Sequence, residues 1–172
     1  PRAALPQVEA DCVSLLSGGL DSMAGAAMLL HTGRRPLLVS HVSGNPTVES
    51  AQRRVVAHLS KLGECTHAVA RVLPGGHGQQ PFAYPPPEMR EPSRRARSLL
   101  FMTLGVVAAC RAGVSEVYLC ENGILTAALP LTPARSGSLS TRSTHPMVLK
   151  LFGELLELAD IPCQVANPFL HQ

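Results

Sequence analysis

The stretch Cys12–Ser22 constrains the fold of this chain more than any other, because it combines a strand, a turn and a helix start in direct succession. The apolar run Val13–Leu16 predicts a short buried strand, and apolar residues at helical spacing from Met23 onward predict a helix. Between them, Gly18 and Gly19 allow the backbone to approach a ligand closely and accept a positive φ. The amides and dipole of a helix N-terminus favour an anion at such a turn.

The polar side chains of this turn fit a phosphate site that includes a metal ion. Ser17 and Ser22 carry hydroxyl donors, whereas the carboxylate of Asp21 would repel phosphates unless a cation lay between them. Mg²⁺ prefers oxygen ligands and commonly bridges carboxylates to phosphates, so Asp21 is the candidate metal ligand. The alternative is an ordinary Gly-Gly turn in which Asp21 or Ser22 caps the helix.

Strands and helices alternate along the rest of the chain. Further strands are predicted at residues 36–42, 66–73, 116–120 and 162–166, and further helices at 47–62, 93–112 and 146–159. This alternation predicts an α/β fold with a parallel sheet of about five strands and helices on both faces. Ligands bind such sheets beyond the carboxyl ends of the strands, where the strand order reverses.

The chain is predicted to form one domain over residues 1–172, with no internal boundary. Residues 74–92 contain six prolines and three glycines, which predicts a flexible loop that is either a mobile lid or disordered. Because the chain starts at Pro1 and stops just after a predicted strand, we expect a fragment of a longer protein.

Composition limits the classes of function. The net charge of +3 suits a phosphate-bearing ligand but is too weak to indicate nucleic-acid binding. No apolar run is long enough to span a membrane and no signal peptide is visible, so we expect a cytoplasmic protein. The five cysteines are scattered without a C-x-x-C pair, which predicts buried structural thiols and makes zinc unlikely.

Two further polar clusters are candidates for the site. Ser40 and His41 come at the end of the second predicted strand, where His41 either contacts the ligand or is simply structural or solvated. Arg97 and Ser98 begin the long helix after the flexible loop, together with Arg94. Arginines at a helix N-terminus are unfavourable for the dipole unless they bind an anion; the alternative is a solvated basic turn.

Two more clusters follow the fourth predicted strand. Glu121, Asn122 and Gly123 form a turn by composition, and their position at the carboxyl edge also makes them a candidate substrate wall. A Ser/Thr-rich segment then carries Arg142 and His145 and leads into a helix. We expect helix-start residues to hold this segment beside the crevice, although a disordered segment is the alternative.

The hexapeptide Ser17-Gly18-Gly19-Leu20-Asp21-Ser22 resembles the pyrophosphate loop of the ATP pyrophosphatase (PP-loop) superfamily, whose fold is Rossmann-like (adenine nucleotide alpha hydrolase-like). It lacks the Gly-Lys-Ser/Thr ending of a Walker loop. Members cleave ATP between the α and β phosphates and commonly adenylate a substrate. The resemblance implies that these six residues bind ATP and Mg²⁺, and that Val39 and His41 lie near the adenine.

Together with Arg97-Ser98, Glu121-Asn122-Gly123 and residues 140–146, the loop resembles the 7-cyano-7-deazaguanine synthases related to queuosine biosynthesis. The likeness is closest to their divergent branch in bacterial anti-phage defence operons. It implies a ligase that adenylates a carboxylate on a small molecule or protein, releases pyrophosphate and AMP, and has partners in such an operon. The family's cysteine-ligated zinc has no counterpart in this chain.

The catalytic candidates divide into two groups. The resemblance assigns Ser17, Asp21 and Ser22 to the leaving pyrophosphate and its magnesium. It leaves orientation of the acceptor or stabilisation of the adenylate to three other residues, namely Arg97, Arg142 and His145. Two alternatives remain open. One is another amidating or tRNA-modifying PP-loop enzyme, although the missing C-x-x-C pair counts against most thiolating members. The other is a non-catalytic nucleotide-binding subunit of a defence complex, against which the presence of Asp21 counts.

Overall fold

A computed structural model of the protein describes residues 9–42, 44–72, 97–122 and 144–170. Within these ranges strands and helices alternate, as the sequence predicts. The elements are β1 (Cys12–Leu15), α1 (Leu20–His31), β2 (Pro36–Val42), α2 (Pro46–Leu59), β3 (Thr66–Arg71), α3 (Arg97–Ala112), β4 (Glu116–Tyr118), α4 (Pro146–Leu158) and β5 (Gln164–Ala166). Helix α1 begins earlier than the sequence indicated, because Gly19 ends the turn and Leu20 already has helical geometry.

The five strands form one sheet in the order β3-β2-β1-β4-β5, and every neighbouring pair is parallel. The prediction of an α/β fold with a parallel sheet is therefore confirmed. The chain first moves outward from β1 to β3 and then crosses back to place β4 on the other side of β1. The strand order thus reverses between β1 and β4, which is where such sheets bind ligands.

Helices cover both faces of the sheet because its central strands carry apolar side chains on each side. On one face, β1, β2 and β4 pack against α3 and α4 through a cluster that includes Val13, Val39, Met102, Val117 and Phe152. On the other face α1 and α2 form a smaller cluster around Leu16, Ala26, Leu30, Leu38 and Leu59. Each large side chain removed from water contributes about 1.5–3 kcal/mol to folding.

The cysteines follow the prediction of buried thiols only in part. All five are free. Cys12, Cys120 and Cys163 are buried, whereas Cys65 is partly exposed and Cys110 lies on the exposed side of α3. The prediction was therefore wrong for Cys110, because α3 turns Val106 and Ala109 toward the core and leaves Cys110 on its exposed side.

At the amino-terminal edge of the sheet, one arginine joins two acidic residues. Arg34 follows α1, and its Nε donates to Asp11 Oδ1 over 3.1 Å. The same guanidinium donates to Glu116 of β4 and lies 5.9 Å from the centre of the Tyr118 ring. Asp11 also accepts from the backbone N–H of Arg35 at 3.1 Å. This cluster, the Arg34 network, ties the start of β1 to β2 and β4.

Candidate functional site

The Ser17–Ser22 loop connects β1 to α1 at the carboxyl edge of the sheet, next to the point where strand order reverses. Gly18 has a φ of +88°, which side chains other than glycine rarely adopt. A Cβ at Gly18 would lie 3.0 Å from both Cγ and the backbone nitrogen of Gln52 in α2. The loop therefore requires glycine here both for its conformation and for its close contact with α2.

Hydrogen bonds inside the Ser17–Ser22 loop hold its two hydroxyl groups together. Ser22 Oγ donates to the carbonyl of Gly19 at 2.9 Å, and the N–H of Gly19 donates to Ser17 Oγ at 3.2 Å. The two hydroxyl oxygens lie 3.1 Å apart. Because the hydrogen of Ser22 goes to Gly19, Ser17 must be the donor in this pair. Both hydroxyls can rotate to donate to a ligand instead.

The first turn of α1 presents backbone amides at this loop. Its N-cap is Gly19, which has no side chain to bond the first amides, and the first helical bond runs from Met23 N to Gly19 O at 3.1 Å. The N–H groups of Leu20, Asp21 and Ser22 therefore have no acceptor within the helix. With the helix dipole, they favour a negatively charged group at the loop.

Asp21 links the first turn of α1 to the end of β4. It is partly exposed, and its Oδ2 accepts from the backbone N–H of Asn122 at 3.3 Å. One turn further along α1, Gly25 packs directly on Cys120, since a Cβ there would lie 2.1 Å from its Sγ. Burial, with the nearby charge of Asp21, raises the pKa of Cys120 to about 12, so this thiol is neutral.

Glu121 forms part of the opposite wall and is held by two buried polar residues. Thr144 Oγ1 donates to Glu121 Oε2 at 2.6 Å, and Asn167 Nδ2 donates to the carbonyl of Glu121 at 2.8 Å. The N–H of Glu121 donates in return to Asn167 Oδ1 at 3.3 Å. These bonds join the end of β4 to the residues just before α4 and just after β5.

The end of β2 contributes residues with different roles. The carbonyl of Val39 accepts from Leu16 N at 2.8 Å, and the buried hydroxyl of Ser40 donates to the carbonyl of Leu16 at 2.9 Å. His67 Nε2 lies 2.9 Å from the same hydroxyl, and burial lowers the pKa of this histidine. The main-chain carbonyl of Val39 and the side chain of Ser40 thus join the strands.

The side chain of His41 faces a cleft. Its Nε2 lies 3.0 Å from the carbonyl of Val72 and must donate to it, so the neutral ring carries its hydrogen there. Its Nδ1 is buried and has no hydrogen-bond partner among the described residues. The His41 ring lies 5.4 Å from the ring of Phe101 in α3. The guanidinium of Arg97, one turn earlier, lies 5.2 Å from the Phe101 ring centre.

The cleft has a volume of about 100 Å³ and lies between the carboxyl ends of β1, β2 and β4 and the helices α1 and α3. Its walls are mostly apolar, with polar groups concentrated at the Ser17–Ser22 loop, at β2 and at β4. The described residues that line it are Leu15, Leu16, Ser17, Ser22, Val39, His41, Phe101, Leu104, Leu119, Cys120 and Glu121.

The structure brings only some of the sequence-predicted residues to this cleft. Ser17, Ser22, Val39, His41 and Glu121 line it. Between Ser17 and Ser22, the other four residues of the loop lie next to the cleft without lining it, namely Gly18, Gly19, Leu20 and Asp21. Asn122 follows the lining residue Glu121, and its N–H donates to Asp21. Arg97 and Ser98 begin α3, and Arg97 reaches the cleft wall only through Phe101. Gly123, Arg142 and the 74–92 loop lie outside the described residues.

His145 has a role at the start of α4. It is the N-cap of that helix, and its Nδ1 accepts from the backbone N–H of Met147 at 3.2 Å, with Pro146 in the first turn. The helix start that the sequence predicted is confirmed. Thr144 precedes the N-cap, and its hydroxyl donates to Glu121 instead.

Gln52 is the residue that the sequence reasoning missed. It is 4% exposed, and its Nε2 lies 3.2 Å from the carbonyl of His41 and 3.4 Å from that of Ser17. Its signal was present in the chain, because Gln52 lies four residues after Val48 and seven before Leu59. A polar side chain within the apolar stripe of an amphipathic helix must find partners when it is buried.

The described residues contain neither a cluster of metal ligands nor a helix that could span a membrane. Among residues 9–42, 44–72, 97–122 and 144–170, no group of three or more His, Cys, Asp or Glu could hold a metal ion. Within the same ranges, the helices are too short or too polar to traverse a lipid bilayer.

Comparison with known proteins assigns no family to the chain. No family model matches it, and no curated protein matches it either. Among solved structures, one described as "Crystal structure of gox2253" resembles 91% of the chain, with a TM-score of 0.44 and 16% sequence identity. The chain spans about half the length of that protein, 51%.

Proposed function

We propose that the protein is an ATP-dependent enzyme of the PP-loop type that adenylates a carboxylate and releases pyrophosphate. The observation that carries the proposal is the geometry of the Ser17–Ser22 loop. It lies where the strand order reverses, Gly18 has a φ of +88°, and the first amides of α1 have no acceptor in the helix. Both of its hydroxyl side chains line a cleft. These features suit a chain of phosphates.

The donor set at the loop fits Mg²⁺ bound together with phosphates. Asp21 is a partly exposed carboxylate in the first turn of α1, and it accepts from one backbone N–H. Mg²⁺ is usually held by one or two carboxylates together with phosphate oxygens and water, so a single aspartate from the protein is enough to bind it beside phosphates. Asp21 would hold the ion, which would neutralise charge on the leaving pyrophosphate.

The chain's own groups would act by position and charge. The amides of the Ser17–Ser22 loop would donate to phosphate oxygens, and the hydroxyls of Ser17 and Ser22 would turn from each other toward the ligand. The apolar wall beside His41 and Val39 would receive the adenine, as the resemblance implies. Excluding water there strengthens these electrostatic interactions and protects an acyl adenylate from hydrolysis.

The reaction proposed is a displacement at the α-phosphorus of ATP. An oxygen of the acceptor carboxylate attacks that phosphorus, and the bond to the oxygen that bridges the α and β phosphates breaks. Pyrophosphate leaves with the bonding electrons, and the acyl adenylate remains. Arg97 is the described cation nearest the Phe101 wall of the cleft and is the candidate for orienting the acceptor, with Arg142 and His145 as the other candidates.

The acceptor and the biological setting rest on the resemblance alone. A carboxylated 7-deazaguanine is the proposed small-molecule acceptor, and a protein carboxylate is the alternative. A cytoplasmic protein that works with other products of an anti-phage defence operon is the proposed setting.

The first experiment tests nucleotide binding by calorimetry with Mg²⁺ and ATP. Gly18→Ala should abolish detectable binding, because a Cβ strains a φ of +88° and presses on Gln52. Gly33→Ala is the matched control, since it has a φ of +79° with open space around it and lies after α1. It bears a similar backbone strain far from the loop and should bind ATP like the wild type. Equal binding by both variants would remove the loop from the site.

The second experiment tests catalysis with radiolabelled ATP and a panel of carboxylates that includes carboxylated deazaguanines. Pyrophosphate release that depends on one carboxylate supports the enzyme. Binding of ATP without turnover for any acceptor, with operon partners present, would instead favour the non-catalytic nucleotide-binding subunit. Absence of ATP binding by well-folded protein contradicts both.

A further inference from the structure

We propose that Gln52 is a positioning residue that sets the conformation of the Ser17–Ser22 loop and thereby its affinity for phosphates. The role of Gln52 deepens the proposed function, and the ligand class, a magnesium-bound nucleoside triphosphate, rests on that function. The effect on loop conformation does not rest on it and is tested separately below.

The amide of Gln52 bridges two strand ends that no longer pair with each other. The ladder between β1 and β2 runs to Leu15 opposite Val39 and continues with the bond from Leu16 N to Val39 O. Past this point β1 turns into the loop while β2 continues. The carbonyls of Ser17 and His41 then accept from the same Nε2 of Gln52, at 3.4 and 3.2 Å.

The chemistry of the side chain matches this position. A primary amide nitrogen carries two hydrogens, so one nitrogen can serve two carbonyl acceptors at once. Gln52 is 4% exposed, so its amide hydrogens must find acceptors inside the protein, and the carbonyls of Ser17 and His41 supply them. Gln52 therefore replaces the backbone ladder where the two strands diverge.

The bond to Ser17 also determines which way the next amide faces. In a trans peptide the C=O of one residue and the N–H of the next point in opposite directions. Holding the Ser17 carbonyl toward α2 thus turns the N–H of Gly18 away from α2. Gly18 also lies against Gln52, since an added Cβ would be 3.0 Å from its Cγ and backbone nitrogen, so the same residue holds both ends of this peptide.

A side chain on α2 therefore controls the orientation of a main-chain donor in the Ser17–Ser22 loop, the N–H of Gly18. Gln52 itself need not touch the nucleotide. Its loss should free the Ser17–Gly18 peptide to rotate, so that the loop samples conformations in which its amides no longer converge. Binding is then weakened by the fraction of time spent outside the competent conformation.

The test compares Gln52→Ala with Leu59→Ala in calorimetric titrations with Mg·ATP. Leu59 is buried on the same helix in the smaller core cluster, so its loss destabilises α2 without removing a hydrogen bond to the loop. We expect Gln52→Ala to weaken Mg·ATP binding about tenfold, as two lost hydrogen bonds allow. Leu59→Ala should keep wild-type affinity at a temperature where it remains folded.

Gln52→Glu provides a readout that a purely structural role would not produce. An ionised glutamate offers no donor and repels the carbonyls of Ser17 and His41, whereas a protonated one regains one donor with nearly the same shape. Its Mg·ATP affinity relative to wild type at the same pH should therefore rise as the pH falls from 7.5 to 5.5. Using this ratio cancels every pH effect on the ligand and on the parts of the protein that the two variants share.

Amide hydrogen exchange of the unliganded protein separates this inference from the proposed function. In Gln52→Ala, exchange at the hydrogen-bonded amides on either side of the loop, those of Leu16 and Met23, should be faster than in wild type, while β1 itself stays protected. Unchanged exchange at these two amides, or equal Mg·ATP affinity of wild type and Gln52→Ala, would overturn the role of Gln52. A wild type that binds no ATP overturns the proposed function instead, and the exchange result still decides the role of Gln52.

Discussion

The two edges of the sheet use acidic side chains in opposite ways. At the amino-terminal edge, Asp11 and Glu116 both accept from the guanidinium of Arg34. At the carboxyl edge, Asp21 accepts from the backbone N–H of Asn122, and Glu121 accepts from the hydroxyl of Thr144. The first edge pairs charges, whereas these bonds at the second edge orient carboxylates through neutral donors.

The same residue type therefore meets a charged donor at one edge and neutral donors at the other, and the proposed function gives only the carboxyl edge a part in ligand binding. A carboxylate paired with a guanidinium has its charge compensated on folding, so it gains little from a metal ion. A carboxylate such as Asp21, whose described hydrogen bond comes from a backbone N–H, can still bind a cation. Three variants test this difference between the two edges, and a fourth tests the packing of α1 against the end of β4.

The largest effect is expected from Asp21→Asn. If Asp21 holds the magnesium, turnover should fall by more than about a hundredfold, because charge on the leaving pyrophosphate is no longer neutralised. The free energy of unfolding should change by less than about 0.5 kcal/mol, since the side chain is partly exposed. Glu116→Gln, the carboxylate of the other edge, is the control and should keep wild-type turnover. Pyrophosphate release and urea unfolding measure the two quantities, and wild-type turnover in Asp21→Asn would remove it from the mechanism.

Close packing beside the cleft predicts the next effect. Gly25→Ala should lower the free energy of unfolding by about 2 kcal/mol, because its Cβ would lie 2.1 Å from Sγ of Cys120. Gly153→Ala in α4 is the matched control, with nothing within 4 Å of the added Cβ. It should be neutral or stabilising by up to about 1 kcal/mol, as alanine favours helices. Similar urea midpoints for the two variants would show that α1 can move away from β4 at little cost.

The Arg34 network should affect stability and leave binding unchanged. Arg34→Met removes a donor from Asp11 and from Glu116 and should cost about 1–2 kcal/mol of unfolding free energy, a modest value because the partners are partly exposed. The affinity for Mg·ATP should equal that of the wild type, measured by calorimetry below the unfolding temperature. A large loss of affinity would mean that the two edges of the sheet are coupled.

The smallest effect is a pH dependence of stability at the amino-terminal edge. Burial favours a higher pKa for Asp11, but hydrogen bonds from the Arg35 N–H and the Arg34 guanidinium outweigh it, so the pKa lies below the ordinary value of 3.8. A folded-state pKa below the unfolded one stabilises the protein above about pH 3.8, and this contribution disappears as the pH falls further. The side chain is about a third exposed, so the effect should stay below about 1 kcal/mol.

The measurement for Asp11 compares the urea midpoints of wild type and Asp11→Asn at pH 6 and pH 3. The wild type should be the more stable at pH 6, and the difference should shrink at pH 3, where Asp11 of the unfolded chain already binds a proton. A difference that grows toward pH 3 would contradict the lowered pKa.

Local patterns in the chain were sufficient to predict most of the fold. The apolar run Pro36–Val42 is the second strand as predicted, and Gly33 follows α1 with a positive φ of +79°. The helices α2 and α4 could be recognised from apolar spacing and from Pro46 and Pro146 in their first turns. Such features lie within a few residues of each other, so no tertiary contact is needed to read them.

The candidate site could be predicted only where it is continuous in sequence. The Ser17–Ser22 loop was identified from its own residues, and the ends of β2 and β4 followed from the general rule for parallel sheets. The sequence did not indicate that His145 caps α4 while Thr144 bonds to Glu121, because a hydroxyl is the preferred cap and Glu121 lies 23 residues earlier in the chain. Nor did it indicate the role of Gln52, whose partners are 11 and 35 residues away.

The alternation of strands and helices and the glycine-rich turn before α1 can be read directly from the chain, because they depend on backbone preferences and on the spacing of apolar side chains. Which polar groups meet is known from the folded structure alone. It placed Asp21 against the N–H of Asn122, Gln52 between the carbonyls of Ser17 and His41, and Arg34 between two acidic residues. Hydrogen bonds act over about 3 Å, so which groups form them depends on how the helices pack on the sheet.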